Sequence, residues 1–183
     1  MHGIGRDPAT DLDLVEELLE GGSEAAFREL YQRHTPRLLQ FVTRVLGGAG
    51  DEAEDVVQET WIKAVEGLPG YRGEALFGTW LTGIGLNVSR MLLRKTGRWR
   101  GFIEAVEPES PQSRLSHEER MDLECVLAQL PAGQRAVILL HDLEGYTHAE
   151  IGQMLGIAEG TSKSQLSLAR KRAQALYDGG SNG

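Results

Sequence analysis

Apolar residues recur three and four positions apart along most of the chain, and no stretch alternates over more than a few positions. That periodicity predicts an all-α protein. Leu12, Val15, Leu18 and Leu19 form the stripe of a short first helix, closed by Gly21 and Gly22. A second helix, capped by Ser23, carries Phe27, Leu30, Tyr31, Leu38, Phe41, Val42 and Val45 and stops at Gly47 and Gly48. Pro36 within it predicts a kink or a division. Asp51 followed by Glu54 reads as a capping box for a third helix through Val56, Val57, Trp61 and Val65. Gly67, Pro69, Gly70 and Gly73 then predict a loop. A fourth helix follows over residues 75–95, with Phe77, Trp80, Leu81, Ile84, Val88, Met91 and Leu92 as its apolar positions. Gly78, Gly83 and Gly85 lower its intrinsic stability by roughly 1 kcal/mol each, and close helix packing would account for them.

Over residues 101–116 the pattern fails. Two prolines and three glutamates predict an exposed, flexible linker. Helical spacing resumes at Met121, Leu123, Val126, Leu127 and Leu130 and is broken by Pro131. Ala136, Val137, Leu139 and Leu140 mark another helix. Thr147 and Glu150 form a second capping box for a short helix over residues 149–155, and a last helix covers residues 160–177. The chain therefore divides into a helical domain over residues 10–100, a linker over 101–116 and a smaller helical domain over 117–178. Domains of this size bury little surface, so each is expected to be only modestly stable alone.

Charge changes this picture only when resolved by segment. The whole chain carries 19 Lys and Arg against 27 Asp and Glu, a net of -8, which argues against autonomous nucleic-acid binding. No domain is basic, but Arg90, Arg94, Lys95, Arg98 and Arg100 fall within eleven residues that hold no acid. Lys163, Arg170, Lys171 and Arg172 all lie on the last helix. Acid gathers instead at Asp51, Glu52, Glu54, Asp55 and Glu59. A charge run is commonly just a solvated face; two basic segments, each ending a helical domain, favour a dipolar protein that meets DNA on one surface and a basic protein on another.

The segment from Tyr146 onward has a specific geometry. A capped short helix turns Ile151 and Leu155 inward, Gly156 permits the left-handed backbone that ends it, and Ile157 returns to the core. Thr161 opens the longer helix, with Leu166, Ala169, Ala173 and Leu176 inward. This is a helix-turn-helix whose second helix is placed for a major groove. Thr161, Lys163, Ser164, Gln165 and Ser167 lie near its presenting end, where hydroxyls and amides reach phosphates or base edges; Arg170, Lys171 and Arg172 lie further along, facing the backbone. The same unit also occurs in protein-interaction modules.

These residues resemble a bacterial sigma-70-type factor of the extracytoplasmic-function (ECF) class over nearly the whole chain. The block DEAEDVVQETW, the later GTSKS ahead of ARKR, and a proline-containing stretch between them carry the resemblance. It implies two conserved regions, one on each domain, and transcription initiation with core RNA polymerase. Asp55, Val56, Gln58, Glu59, Trp61 and Ile62 are then the expected docking surface for the clamp helices of the polymerase, and the second domain touches the flap. Ordinary core packing is the competing reading of Trp61. The loop over residues 67–77 is expected to trap an unstacked base of the -10 element, with Tyr71 and Arg72 stacking or gripping it. Phe77, Trp80 and Asn87 follow as -10 residues, and Arg90, Arg94 and Lys95 as backbone contacts; simple burial competes for Trp80. The -35 element falls to Thr161, Lys163, Ser164, Gln165, Ser167, Arg170 and Lys171. Against the family's usual G-T-V-K-S-R-L-x-R-A-R, this chain has Ser162, Gln165 and Leu168. Two cations are thus missing, which should weaken binding and its salt dependence.

Other classes fare worse. The five histidines read as scattered, with His141 and His148 at the surface, and Cys125 is the sole cysteine. Neither a catalytic constellation nor a metal or cofactor site is expected. No apolar run reaches membrane-spanning length and the N-terminus lacks a secretion signal, so a cytoplasmic protein without membrane insertion is expected. The resemblance also implies an anti-sigma partner. The alternative is a sigma-like adaptor or helix-turn-helix regulator that forms no initiating holoenzyme.

Overall fold

A computed structural model describes residues 10–48, 50–99 and 123–180. Every regular element among them is helical, in two groups: α1 (Asp11–Gly21), α2 (Glu24–Leu46), α3 (Gly50–Gly67) and α4 (Phe77–Lys95), then α5 (Leu123–Gln129), α6 (Ala132–Ile138), α7 (His148–Leu155) and α8 (Glu159–Gly180). A 3-10 turn, Leu68–Gly70, follows α3, and a π-helical turn, Leu139–Leu143, continues α6. The expected linker lies outside the described residues.

In the first lobe α2, α3 and α4 pack on one another and α1 lies along α2. Local chemistry sets their ends. Thr10 caps α1 in a reciprocal box with Asp13, Ser23 caps α2 through the Ala26 N–H, and Gly22 and Gly47 close the two helices in left-handed conformations. The first helix is rotated from the expected stripe. Leu14 and Val15 are buried while Leu12 and Leu19 are about half exposed, because an eleven-residue helix lying mainly on α2, with a smaller contact to the 3-10 turn, buries only a narrow strip. Pro36 neither divides nor ends α2, since Leu30 on one side of it and Leu38, Phe41 and Val42 on the other are buried in the same core. Asp51 is not a cap: α3 begins at Gly50, so Asp51 and Glu52 are first-turn acids favoured by the helix dipole. The fourth helix starts at Phe77, two residues later than the pattern predicts. Its glycines do admit close packing at Gly85, where a Cβ would stand 2.9 Å from Leu38 Cδ1.

The second lobe is built as its caps dictate. Thr147 and Glu150 close a reciprocal capping box on α7, and Gly156, at φ 69°, ends that helix. Gly152 is required by close approach: a Cβ there would meet the Ile157 carbonyl oxygen at 2.8 Å. Leu166 and Ala169 of α8 are buried against α6 and α7, with Ala173 and Leu176 half-buried.

The two lobes share one hydrophobic core, a junction that the helical periodicity does not predict. Polar ties reinforce it. The Arg135 guanidinium, 5% exposed, donates to the carbonyls of Val45 on α2 (3.0 Å), Ala128 (2.9 Å) and Leu130 (3.0 Å). Tyr146 Oη donates to the Thr79 carbonyl at 2.9 Å, and Arg37 pairs with Glu144 at 2.7 Å.

Candidate functional site

The acidic helix α3 divides its residues between core and surface. Val56, Val57 and Trp61 are buried, and Trp61 Nε1 donates to Thr35 Oγ1 at 3.0 Å. Trp61 is therefore a core residue here, as its competing reading had it, and it presents no surface to a partner; Val56 is likewise 3% exposed. Asp55, Gln58 and Ile62 point outward, and Glu59 is half-buried in an i,i+4 pair with Lys63 at 3.0 Å. Between α3 and α4 runs an open groove with Val56, Val88, Met91 and Leu92 along it, Asp55 and Glu59 on one rim and Lys95 on the other. Met91 stands 63% exposed beside it. An apolar channel with acids on its α3 side and cations on its α4 side is suited to a helical partner that turns basic side chains toward α3.

Aromatic residues are only 6% of the chain, yet six of them form one chain of rings through this lobe. Phe27 and Tyr31 of α2 lie 5.7 and 5.2 Å from Trp61, Trp61 lies 6.2 Å from Phe77, and Phe77 lies 5.7 Å from Tyr71 and 5.5 Å from Trp80. Phe77, expected at the -10 contact, is 1% exposed and serves as the anchor. Tyr71 and Trp80, 5.0 Å apart, are half-buried at the open end. Tyr71 Oη donates to the Ala75 carbonyl at 2.7 Å, which braces the loop, and burial raises the phenol above its ordinary range. Arg72 and Asn87 are exposed.

The basic segment at the end of α4 is not uniform. Arg94 and Lys95 are exposed. Arg90, expected to meet a DNA backbone, instead donates to the carbonyls of Met154 (2.7 Å) and Leu155 (2.9 Å) at the C-terminal end of α7, and its guanidinium lies 5.2 Å from the Trp99 ring. Partial desolvation and Arg94 nearby lower its pKa. In this arrangement it binds the other lobe, because the negative end of α7 attracts a cation.

On α8 the outward residues are Lys163, Ser164, Ser167, Arg170 and Lys171, with Thr161 half-exposed. Gln165 departs from the expectation: it is 7% exposed and accepts from Gln134 Nε2 at 3.2 Å, while Gln134 Oε1 accepts from Arg172 at 2.8 Å. Its amide satisfies a buried polar chain rather than a base edge. Ser162 is fully buried. Two of these three outward cations carry acids: Lys163 pairs with Glu159 at 2.6 Å and Arg170 with Asp142 at 2.5 Å. Arg170 lowers the Asp142 pKa accordingly. Beside them His141 and His148, read from sequence as separate surface residues, stack with ring centroids 4.6 Å apart. Their seven-residue spacing spans a π-turn and a cap, so helical periodicity carries no signal for the pairing. Among the described residues no cluster of three or more metal-ligating side chains occurs, and no helix is long and apolar enough to cross a membrane.

Comparison with known proteins places this geometry. The Sigma-70 region 2 family matches residues 30–99 and the Sigma-70 region 4 family matches residues 120–172. The chain is 31% identical over 173 residues to the ECF RNA polymerase sigma factor SigM of Mycobacterium tuberculosis, covering 94% of this chain and 87% of that one. Among solved structures, the sigma factor RpoE of Bartonella quintana, in complex with the anti-sigma factor NepR, superposes with a TM-score of 0.62 at 31% identity, over 83% of this chain and 96% of that one. CnrH, in complex with the cytosolic domain of CnrY, gives 0.63 at 27% identity, over 92% and 97%. With both Sigma-70 regions matched in order and such a relative spanning most of both chains, the chain belongs to the ECF class of sigma-70 factors, non-catalytic proteins that bind RNA polymerase and start transcription.

Proposed function

We propose that this chain directs core polymerase to a dedicated set of promoters through three separate surfaces. The outward residues of α3, Asp55, Gln58, Glu59 and Ile62, dock on the clamp helices of the polymerase. The Tyr71–Trp80 end of the aromatic chain, with Arg72 and Asn87, takes an unstacked base of the -10 element, and Arg94 and Lys95 follow the backbone. Lys163, Ser164, Ser167, Arg170 and Lys171 on α8 meet the -35 element, and the second lobe also touches the flap.

The observation that carries this reading is the split of α3. Its apolar side, Trp61 included, is buried, while Asp55, Gln58 and Ile62 (55% exposed) face solvent beside an apolar groove. A simple DNA-binding regulator has no need of that surface, which counts against the adaptor reading. Two of the similar structures were determined as complexes, one with an anti-sigma factor and one with the cytosolic domain of CnrY. A partner of the anti-sigma kind, covering the same polymerase and DNA faces, is therefore part of the proposal.

Run-off transcription with core enzyme and a promoter library tests it. A product above that of core alone is the expected result; none would overturn the reading. Asp55→Ala should weaken core binding and leave DNA contacts in place, whereas Lys163→Ala should weaken promoter binding within the assembled holoenzyme. The opposite pattern would show the surfaces to be exchanged.

A further inference from the structure

The helix-turn-helix face carries two ion pairs that cancel, which leaves the exposed Lys171 as its remaining formal charge. Lys163 is matched by Glu159 and Arg170 by Asp142. A face with so little net positive charge is a weak partner for a polyanion. The two imidazoles among these pairs are the groups able to change that balance near neutral pH. His141, on the π-turn, places Nδ1 2.8 Å from Asp142 Oδ1, the carboxylate that also holds Arg170. His148, the first residue of α7, stacks on it at an interplanar angle of 26° and places Nδ1 3.0 Å from Ser162 Oγ, in the first turn of α8. The pair thus touches all three elements of the helix-turn-helix lobe that face outward here.

We propose that the His141–His148 stack is a proton-linked contact for DNA phosphate, so that promoter binding through α8 takes up protons. With Lys171 counted, protonating both rings moves the face from a net of +1 to +3, and one ring alone moves it to +2. The proposal rests on the reading of α8 as a promoter-binding helix.

The surroundings weigh against a charge on His148 in the free protein. From α8, Lys163 and Arg170 disfavour a charge on His148 and Glu159 favours one; from the π-turn, His141 disfavours it. Burial is the largest contribution, and the sum lowers the His148 pKa. Glu150, on α7 itself, is engaged in the cap with Thr147, and Arg37, reaching this end from α2, is paired with Glu144. A phosphate brought beside Lys163 and Arg170 supplies the missing negative charge and reverses the balance.

Two measurements decide it. The first is an imidazole NMR titration of the full chain with and without a random-sequence DNA duplex, at low ionic strength and at a duplex concentration that saturates the chain. Both imidazole titrations should move to higher pH with DNA, and unmoved titrations would overturn the proposal. The second is duplex binding by the holoenzyme at pH 8 and pH 6, for the natural chain and for His141→Asn with His148→Asn, which keeps a polar group near each Nδ1 position. The natural holoenzyme should bind more tightly at pH 6, by at most about tenfold per pH unit for each proton taken up, and the double variant should lose that gain. A gain of equal size in the variant would overturn the proposal and leave the transcriptional reading standing. A holoenzyme that binds no duplex at either pH would overturn both.

Discussion

Arg135 shows how one residue can join elements remote in sequence. Its guanidinium sits where the C-terminal ends of α2 and α5 converge, and both bring carbonyls that their own helices leave unpaired. Burial, with a smaller contribution from Arg98, lowers its pKa to about 10, so the cation persists at neutral pH. Gly47 leaves room for it, since a Cβ there would stand 3.0 Å from Nη1. Arg135→Ala would orphan several buried carbonyls and should cost about 3 kcal/mol or more in chemical denaturation. His148 shifts in the same direction, but its titration falls in a range where stability responds to pH. Its folded pKa lies below the ordinary histidine value, so the unfolded chain binds the proton more readily. The stability it contributes is complete above about pH 6.5 and is lost as pH falls below that. Denaturation midpoints of the isolated chain at pH 7.5 and 5.5 should therefore fall further for the natural protein than for His148→Asn.

At the scale of the element, α3 assigns its two faces to different tasks, and neighbouring residues separate them. Trp61 is 5% exposed and Ile62 is 55% exposed. Trp61→Ala opens a cavity among Phe27, Tyr31 and Phe77 and should destabilise the protein by about 3–5 kcal/mol. Ile62→Ala should leave stability within about 0.5 kcal/mol while weakening core polymerase binding about tenfold. Thermal denaturation and a binding titration on the same two variants check both statements. Periodicity had already placed Val56, Val57 and Trp61 on one stripe. It could not tell whether that stripe met solvent, partner or core, because burial depends on what α2 and α4 bring against it. The same limit applies to α8, where Gln165 sits at a position suited to DNA contact by its spacing. Gln134 and Arg172, 31 and 7 residues away in sequence, draw its amide inward.

For the whole molecule, the joint between the lobes governs what is available to DNA. Arg90 holds the last carbonyls of α7, so for it to reach a phosphate the lobes must part at that point. Arg94 and Lys95 need no such movement. Arg90→Ala should raise amide hydrogen exchange at the end of α7 by about tenfold or more, with α3 unaffected. Unchanged exchange would show that the shared apolar core alone holds the joint. The overall charge of -8 acquires a spatial meaning in the same way: acid lines α3, and on α8 Lys163 and Arg170 are each matched by an acid. Weak binding to DNA by the chain alone follows from that distribution.

The sequence by itself determined the helices, most of their caps and their order. Thr147, Glu150, Gly156 and the three-four spacing of apolar residues act within a few positions, and short-range hydrogen bonds and periodic burial need no distant information. It also carried the family, because DEAEDVVQETW and the helix-turn-helix are contiguous strings. Tertiary structure alone decided which of the named residues face outward, that Arg90 and Arg135 join the lobes, and that His141 stacks on His148. Each of those facts pairs groups from different helices. Such pairing depends on the rotation and approach of whole elements, which are fixed only when the apolar faces have found one another.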